Sequence, residues 1–163
     1  MKVENMMNKK EVFNPINEAS KNIIQNSLSE INQIMKDSVE LERGEDKGIL
    51  INNIQLDMLS KLNKEFAVVM DKGTEFKLFK NILQLSGNVD PLSDFLKCIP
   101  GFGSVVGNMI SISKMIGNTE LIAMAYLKVL EHYFNVKTGK VELPENTEEI
   151  LTYFTTVVNY KKT

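Results

Sequence analysis

Glu120-Leu121-Ile122-Ala123-Met124-Ala125-Tyr126-Leu127-Lys128-Val129-Leu130-Glu131-His132-Tyr133-Phe134 is apolar on most sides of a helix. A surface helix shows one apolar stripe, whereas a helix apolar nearly all round must be covered by neighbours. This stretch therefore predicts the middle of a helical bundle, and the remaining sequence should supply the helices that cover it. Upstream, Ile16, Ala19, Ile23, Ile24, Leu28, Ile31, Met35 and Val39 draw one stripe at steps of three, four and one, which predicts an amphipathic helix over 16–41 behind Pro15. Its steps do not sustain a heptad, so no long coiled coil is expected.

Arg43-Gly44-Glu45-Asp46-Lys47-Gly48 has no apolar side chain and two glycines, which reads as a loop. A second stripe follows at Ile51, Ile54, Met58, Leu62, Phe66, Val69 and Met70, and is expected to stop at Asp71-Lys72-Gly73. Gly73 would then close that helix and Thr74 would cap the next. The next helix runs through Phe76, Phe79, Ile82 and Leu83 to Gly87. Asp90-Pro91 starts a short helix that Pro100-Gly101 must break near Cys98. A helix from about Gly103 to Ile116 is expected to stop at Gly117 and restart at Asn118-Thr119. Around Thr138-Gly139 the pattern suggests a small hairpin. Asn146 and Glu149 have capping-box spacing before a last helix with Ile150, Leu151, Phe154, Val157 and Val158. The expected architecture is all-α, a single-domain bundle of about seven helices with a central apolar helical hairpin at about 103–134. Residues 1–12 are expected to be a flexible N-terminus and 13–163 one helical domain.

The 163 residues carry 19 Lys+Arg against 21 Asp+Glu, a net charge of −2. That balance argues against nucleic acid as a partner, because phosphate neutralisation needs a basic surplus. One cysteine, Cys98, leaves no intrachain disulfide and no multi-cysteine zinc site. One histidine, His132, makes a histidine-based triad or metal site improbable, and it falls on a turn with Lys128 and Glu131 that reads as a solvated edge. The acidic run Glu40, Glu42, Glu45, Asp46 lacks the calcium-loop pattern. Asp71-Lys72-Gly73-Thr74 and Lys137-Thr138-Gly139-Lys140 lack the order of phosphoryl-transfer motifs. The aromatic residues Tyr126, Tyr133, Phe134, Tyr153, Phe154 and Tyr160 fall at helical spacings without interleaved basic residues, which predicts core packing. No catalytic residue, metal or cofactor is expected. No apolar stretch of signal-peptide length follows the polar first residues, so a cytoplasmic or membrane-peripheral location is the expectation.

Residues 98–113 carry no charge in a chain that is 25% charged, and widening the window to 98–127 adds only Lys114 and Glu120. Gly103, Gly107 and Ser111 recur every four residues, so on a helix they form a narrow groove that another backbone can approach. Phe102, Val106, Met109 and Ile110 would supply apolar contact beside it. Two readings of this stretch stand side by side: a buried hairpin of a soluble bundle, or a segment that meets a membrane surface peripherally or conditionally. Sixteen uncharged residues interrupted by Pro100 and Asn108 fall short of a spanning helix. Gly101-Phe102-Gly103, the glycine-bearing apolar helix and the run Leu121-Ile122-Ala123-Met124-Ala125-Tyr126-Leu127 together resemble the C-terminal part of EcsC-type bacterial proteins, over residues 98–160. A second proline-containing stretch after the glycines is missing, and the following glycine is displaced to Gly139. The resemblance implies a helical, membrane-associated protein and transfers no catalytic residue. The function expected is therefore a non-enzymatic interaction protein that binds a protein partner, another copy of itself or a membrane surface. The alternative is a small ligand-binding or enzymatic bundle with a pocket near the 98–117 turn.

Overall fold

The computed structural model describes residues 13–36, 44–87 and 114–159. They are mostly helical: α1 (Glu18–Lys36), α2 (Gly44–Glu65), α3 (Lys72–Ser86), α4 (Lys114–His132), a two-stranded ribbon of β1 (Phe134–Asn135) and β2 (Lys140–Val141), and α5 (Thr147–Val158). The N-terminal twelve residues, the expected short helix at 90–98 and the segment 98–113 lie outside the described residues.

Helix α4 packs against each of the other four described helices. Every residue from Leu121 to Leu127 is buried, as are Val129 and Leu130, so the helix read as apolar all round is indeed the one the others surround. Around it, α1 contributes Ile24, Leu28 and Ile31, α2 contributes Met58, Leu59 and Leu62, α3 contributes Leu78, Phe79 and Ile82, and α5 contributes Ile150, Phe154 and Val158. Burial of each such side chain stabilises by about 1.5–3 kcal/mol, which makes this single cluster the main source of stability.

Helix ends correct several sequence expectations. The supposed loop at 43–48 is helical from Gly44 onward. Lack of apolar side chains says only that no face there is buried, and extending a formed helix by one turn is inexpensive. At its other end α2 stops at Glu65, not near Met70. Ala67 takes a left-handed φ of 52°. Its N–H donates to the Lys64 carbonyl at 3.1 Å, and the Val68 N–H donates to the Asn63 carbonyl at 2.9 Å. This is a Schellman closure built on alanine, so the glycine cue that the sequence reading sought at Gly73 was misplaced. Val69 extended the apolar stripe only on paper, since it is 97% exposed. The cap of α3 is Asp71, not Thr74: its carboxylate accepts from the Thr74 N–H at 3.0 Å and from the Thr74 hydroxyl. These bonds hold the Asp71 carboxyl below its usual range.

The expected stop at Gly117 is absent; α4 runs through it from Lys114 to His132, which removes the turn on which the central hairpin at 103–134 depended. A helical glycine costs about 1 kcal/mol relative to alanine, but Ile116, Thr119, Glu120 and Leu121 are all buried around it. The Thr119 hydroxyl also donates to the Met115 carbonyl at 2.8 Å, across the glycine. Buried contacts on both sides outweigh the propensity of one residue.

Two expected features are present. Gly87 ends α3, and a hairpin pairs Phe134 with Val141 and Asn135 with Lys140. Gly139 supplies the positive φ of 69° in its turn. The Glu142 carboxylate accepts from Asn135 Nδ2 and Thr138 Oγ1, both at 2.9 Å, and so ties the hairpin across its width. Asn146 caps α5 through the Glu148 N–H at 3.1 Å. Phe13 stacks on Phe134 at 4.3 Å and meets Phe66 edge-on at 5.3 Å, so the first described residue closes over the hairpin.

Candidate functional site

The sequence singled out Phe102, Gly103, Val106, Gly107, Met109, Ile110 and Ser111, and all seven lie outside the described residues. Of the 98–117 stretch the structure describes only the end, where it forms the first turn of α4. Among the described residues the polar groups converge in two other places, neither of which the sequence reading had marked.

The first lies between α2 and α3. Ser60 and Asn63 sit three residues apart on α2 and therefore share a face. Ser60 Oγ donates to Glu75 Oε1 at 2.8 Å and Asn63 Nδ2 donates to Glu75 Oε2 at 3.1 Å. Asn63 Oδ1 in turn accepts from the Tyr126 hydroxyl of α4. The amide orientation is chemically fixed, because a carboxylate accepts and the phenol donates. Tyr126 is fully buried, and burial raises its phenol far above the ordinary range, keeping it a neutral donor. One asparagine thus joins three helices, and the Glu75 carboxylate is held by neutral donors on both oxygens.

Beside this junction is a groove of about 500 Å³. Leu56, Val68, Met70, Phe76 and Phe79 form its apolar walls, Ser60, Asn63 and Glu75 its polar side, and Asp57, Lys64 and Lys72 complete the lining. Its size falls in the range of small-molecule sites. The alternative pocket expected near the 98–117 turn is thus not the one the described residues form. The groove arises because α2 ends early: the Schellman closure at Ala67 turns Val68 and Met70 back as a wall rather than continuing the helix. The Lys80 ammonium lies 5.9 Å from the ring centroid of Phe76, a residue 54% exposed.

The second place is Glu120, on α4. It is fully buried, one turn from Ile116 on one side and from Met124 on the other. Among the described residues neither carboxylate oxygen has a hydrogen-bond partner. Desolvation alone pushes its pKa up to about 8, because an ionised carboxylate in apolar surroundings loses its hydration and gains no compensating charge. Nearby, Gln55 Nε2 donates to Thr119 Oγ1 at 2.9 Å and ties α2 to the same turn of α4. The signal for Glu120 was present in the sequence: the only acid of a 30-residue window, four residues from Ile116 and from Met124.

His132 is exposed and stacks on Tyr153 at 3.9 Å, where it packs the α4–α5 edge. Among the described residues no group of three His, Cys, Asp or Glu side chains is placed to hold a metal ion. No helix of the described residues is long and apolar enough to cross a membrane. No family model, no curated protein and no solved structure matches the chain.

Proposed function

We propose that this chain is a non-enzymatic helical interaction protein that acts through the glycine-bearing stretch 98–117, whose one charged side chain is Lys114. The occupant of that stretch is a protein partner, a second copy of the chain or a membrane surface met peripherally. The observation that carries the reading is the charge-poor composition of residues 98–127, whose one acid, Glu120, is buried without a hydrogen-bond partner among the described residues. With its pKa near 8, about nine in ten Glu120 carboxyls are neutral at pH 7. Of the two side chains in residues 98–127 that ordinarily carry a charge at neutral pH, Lys114 and Glu120, only Lys114 then keeps it. Thirty residues with one charge favour an apolar contact over reaction chemistry, and Gly103, Gly107 and Ser111 would let that contact come close. The resemblance to EcsC-type proteins points in the same direction, to a cytoplasmic protein at a membrane surface. With the expected short helix at 90–98, and a helix from Gly103 that ends before α4 begins at Lys114, the bundle would count about seven.

The test is fractionation of the native protein with and without liposomes, beside size-exclusion chromatography. The native chain should float with the liposomes or self-associate. Gly107→Leu, which fills the small-residue groove, should abolish that behaviour while retaining its helical circular dichroism. A native chain that stays monomeric and wholly in the aqueous fraction, and retains no protein partner, overturns the reading. A second reading, a small-ligand-binding bundle, is favoured by the open groove between α2 and α3.

A further inference from the structure

We infer that the groove between α2 and α3 binds a small organic cation, an ammonium or amidinium group carried on an apolar body, with Glu75 as the counter-charge. None of the described lining residues belongs to the stretch 98–117, and the inference does not rest on the reading of that stretch.

The first ground is an anchored carboxylate that has no cation. A carboxylate offers about four acceptor positions, and Glu75 uses one on each oxygen, for Ser60 and Asn63. Ion pairs are formed elsewhere, between Lys61 and Asp57 and between Lys128 and Glu131; among the described residues none reaches Glu75. Its neutral donors are themselves pinned, since Asn63 is buried and its carbonyl is taken by Tyr126. A charge held in place before the ligand arrives requires little reorganisation on binding.

The second ground is the apolar wall. Phe76 and Phe79 line the same groove as Glu75, together with Val68 and Met70 of the connector. Phe76 is 54% exposed and already holds the Lys80 ammonium 5.9 Å from its centroid, so a ligand cation would compete with or displace Lys80 at that ring. The lysines of the groove do not reverse the preference. Lys64 and Lys72 are exposed, on flexible and strongly hydrated stems, whereas Glu75 is half-buried and fixed. An anion would meet the lysines in water, while a cation would meet Glu75 against the aromatic wall.

The probe is 2-phenylethylammonium, titrated into the full chain and followed by amide chemical shifts. Its neutral analogue 2-phenylethanol and the anionic 3-phenylpropionate serve as comparisons. The cation should shift residues of α2, α3 and the 66–71 connector, and should bind about tenfold more tightly than the neutral analogue. Glu75→Gln should remove that preference, and Phe76→Ala should weaken binding without loss of fold. Val68→Trp, which fills the groove from the connector, should block binding and covers the case in which Glu75→Gln does not fold. Tighter binding of the anion, an undiminished cation preference in Glu75→Gln, unaffected binding in Val68→Trp, or no shifts at about 10 mM probe would overturn the inference.

Discussion

Replacing Glu120 by glutamine removes the ionisable group and keeps its shape, so it isolates the effect of one proton on the stability of the whole bundle. In the unfolded chain the carboxyl titrates near 4.5, as an ordinary glutamate does, and in the folded chain at about 8. The folded state therefore holds the proton more tightly, and this carboxyl's contribution to stability is fully present below pH 4.5 and is lost as pH rises through 8. The gap of about 3.5 units corresponds to about 5 kcal/mol over the full window, of which about 3 kcal/mol is already lost at pH 7. Against a typical total of about 5–15 kcal/mol, a loss of this size brings the folded state close to its limit at pH 9.

Glutamine leaves a buried amide unpaired, so the absolute stability of the variant is less informative than its slope against pH. Urea unfolding at pH 5, 7 and 9, followed by far-ultraviolet circular dichroism, measures that slope. Between pH 5 and 9 the wild type should lose about 4 kcal/mol relative to Glu120→Gln. With a denaturant dependence of about 2 kcal/mol per M, this is a relative midpoint shift of about 2 M. Other titrating groups are common to both proteins and cancel in the difference. Parallel curves for the two proteins across this range would mean that the carboxylate finds water or a partner, and would refute the reasoning.

Tyr126→Phe leaves Asn63 Oδ1 buried without its donor and should destabilise by about 1–3 kcal/mol, seen as a lower thermal midpoint; an unchanged midpoint would show that the three-helix junction adds nothing. Ala67→Gly relieves a left-handed backbone that alanine adopts at a cost of about 1 kcal/mol. Its urea midpoint should rise slightly, and that of Ala67→Val should fall; the reverse order would refute the Schellman closure as the end of α2.

Local cues were legible where the chemistry is local. Gly87 ends a helix, Asn146 begins one and Gly139 turns a hairpin, because a missing side chain or a short polar one acts on the nearest few backbone groups. The stripe of α1 was legible for a similar reason, since Ile24, Leu28 and Ile31 recur on one face and are buried, whereas in α3 the stripe held for Phe79 and Ile82 but included the exposed Phe76 and missed the buried Leu78. The cues misled where long-range packing competes. Gly117 lies within α4 because its neighbours are buried by other helices, and Ala67 closes α2 although its side chain gives no sign of a left-handed turn.

Amino-acid order alone determined that the described residues are mostly helical and that the helix within 120–134 lies among the others, because apolar periodicity is written one residue at a time. Only the tertiary structure decided that Ser60, Asn63, Glu75 and Tyr126 meet, and that Glu120 is sealed from water. A hydrogen bond between residues 63 positions apart, such as that of Asn63 with Tyr126, leaves no periodic trace. The charge state of a carboxyl likewise depends on what covers it in space, not on which residues flank it in the chain.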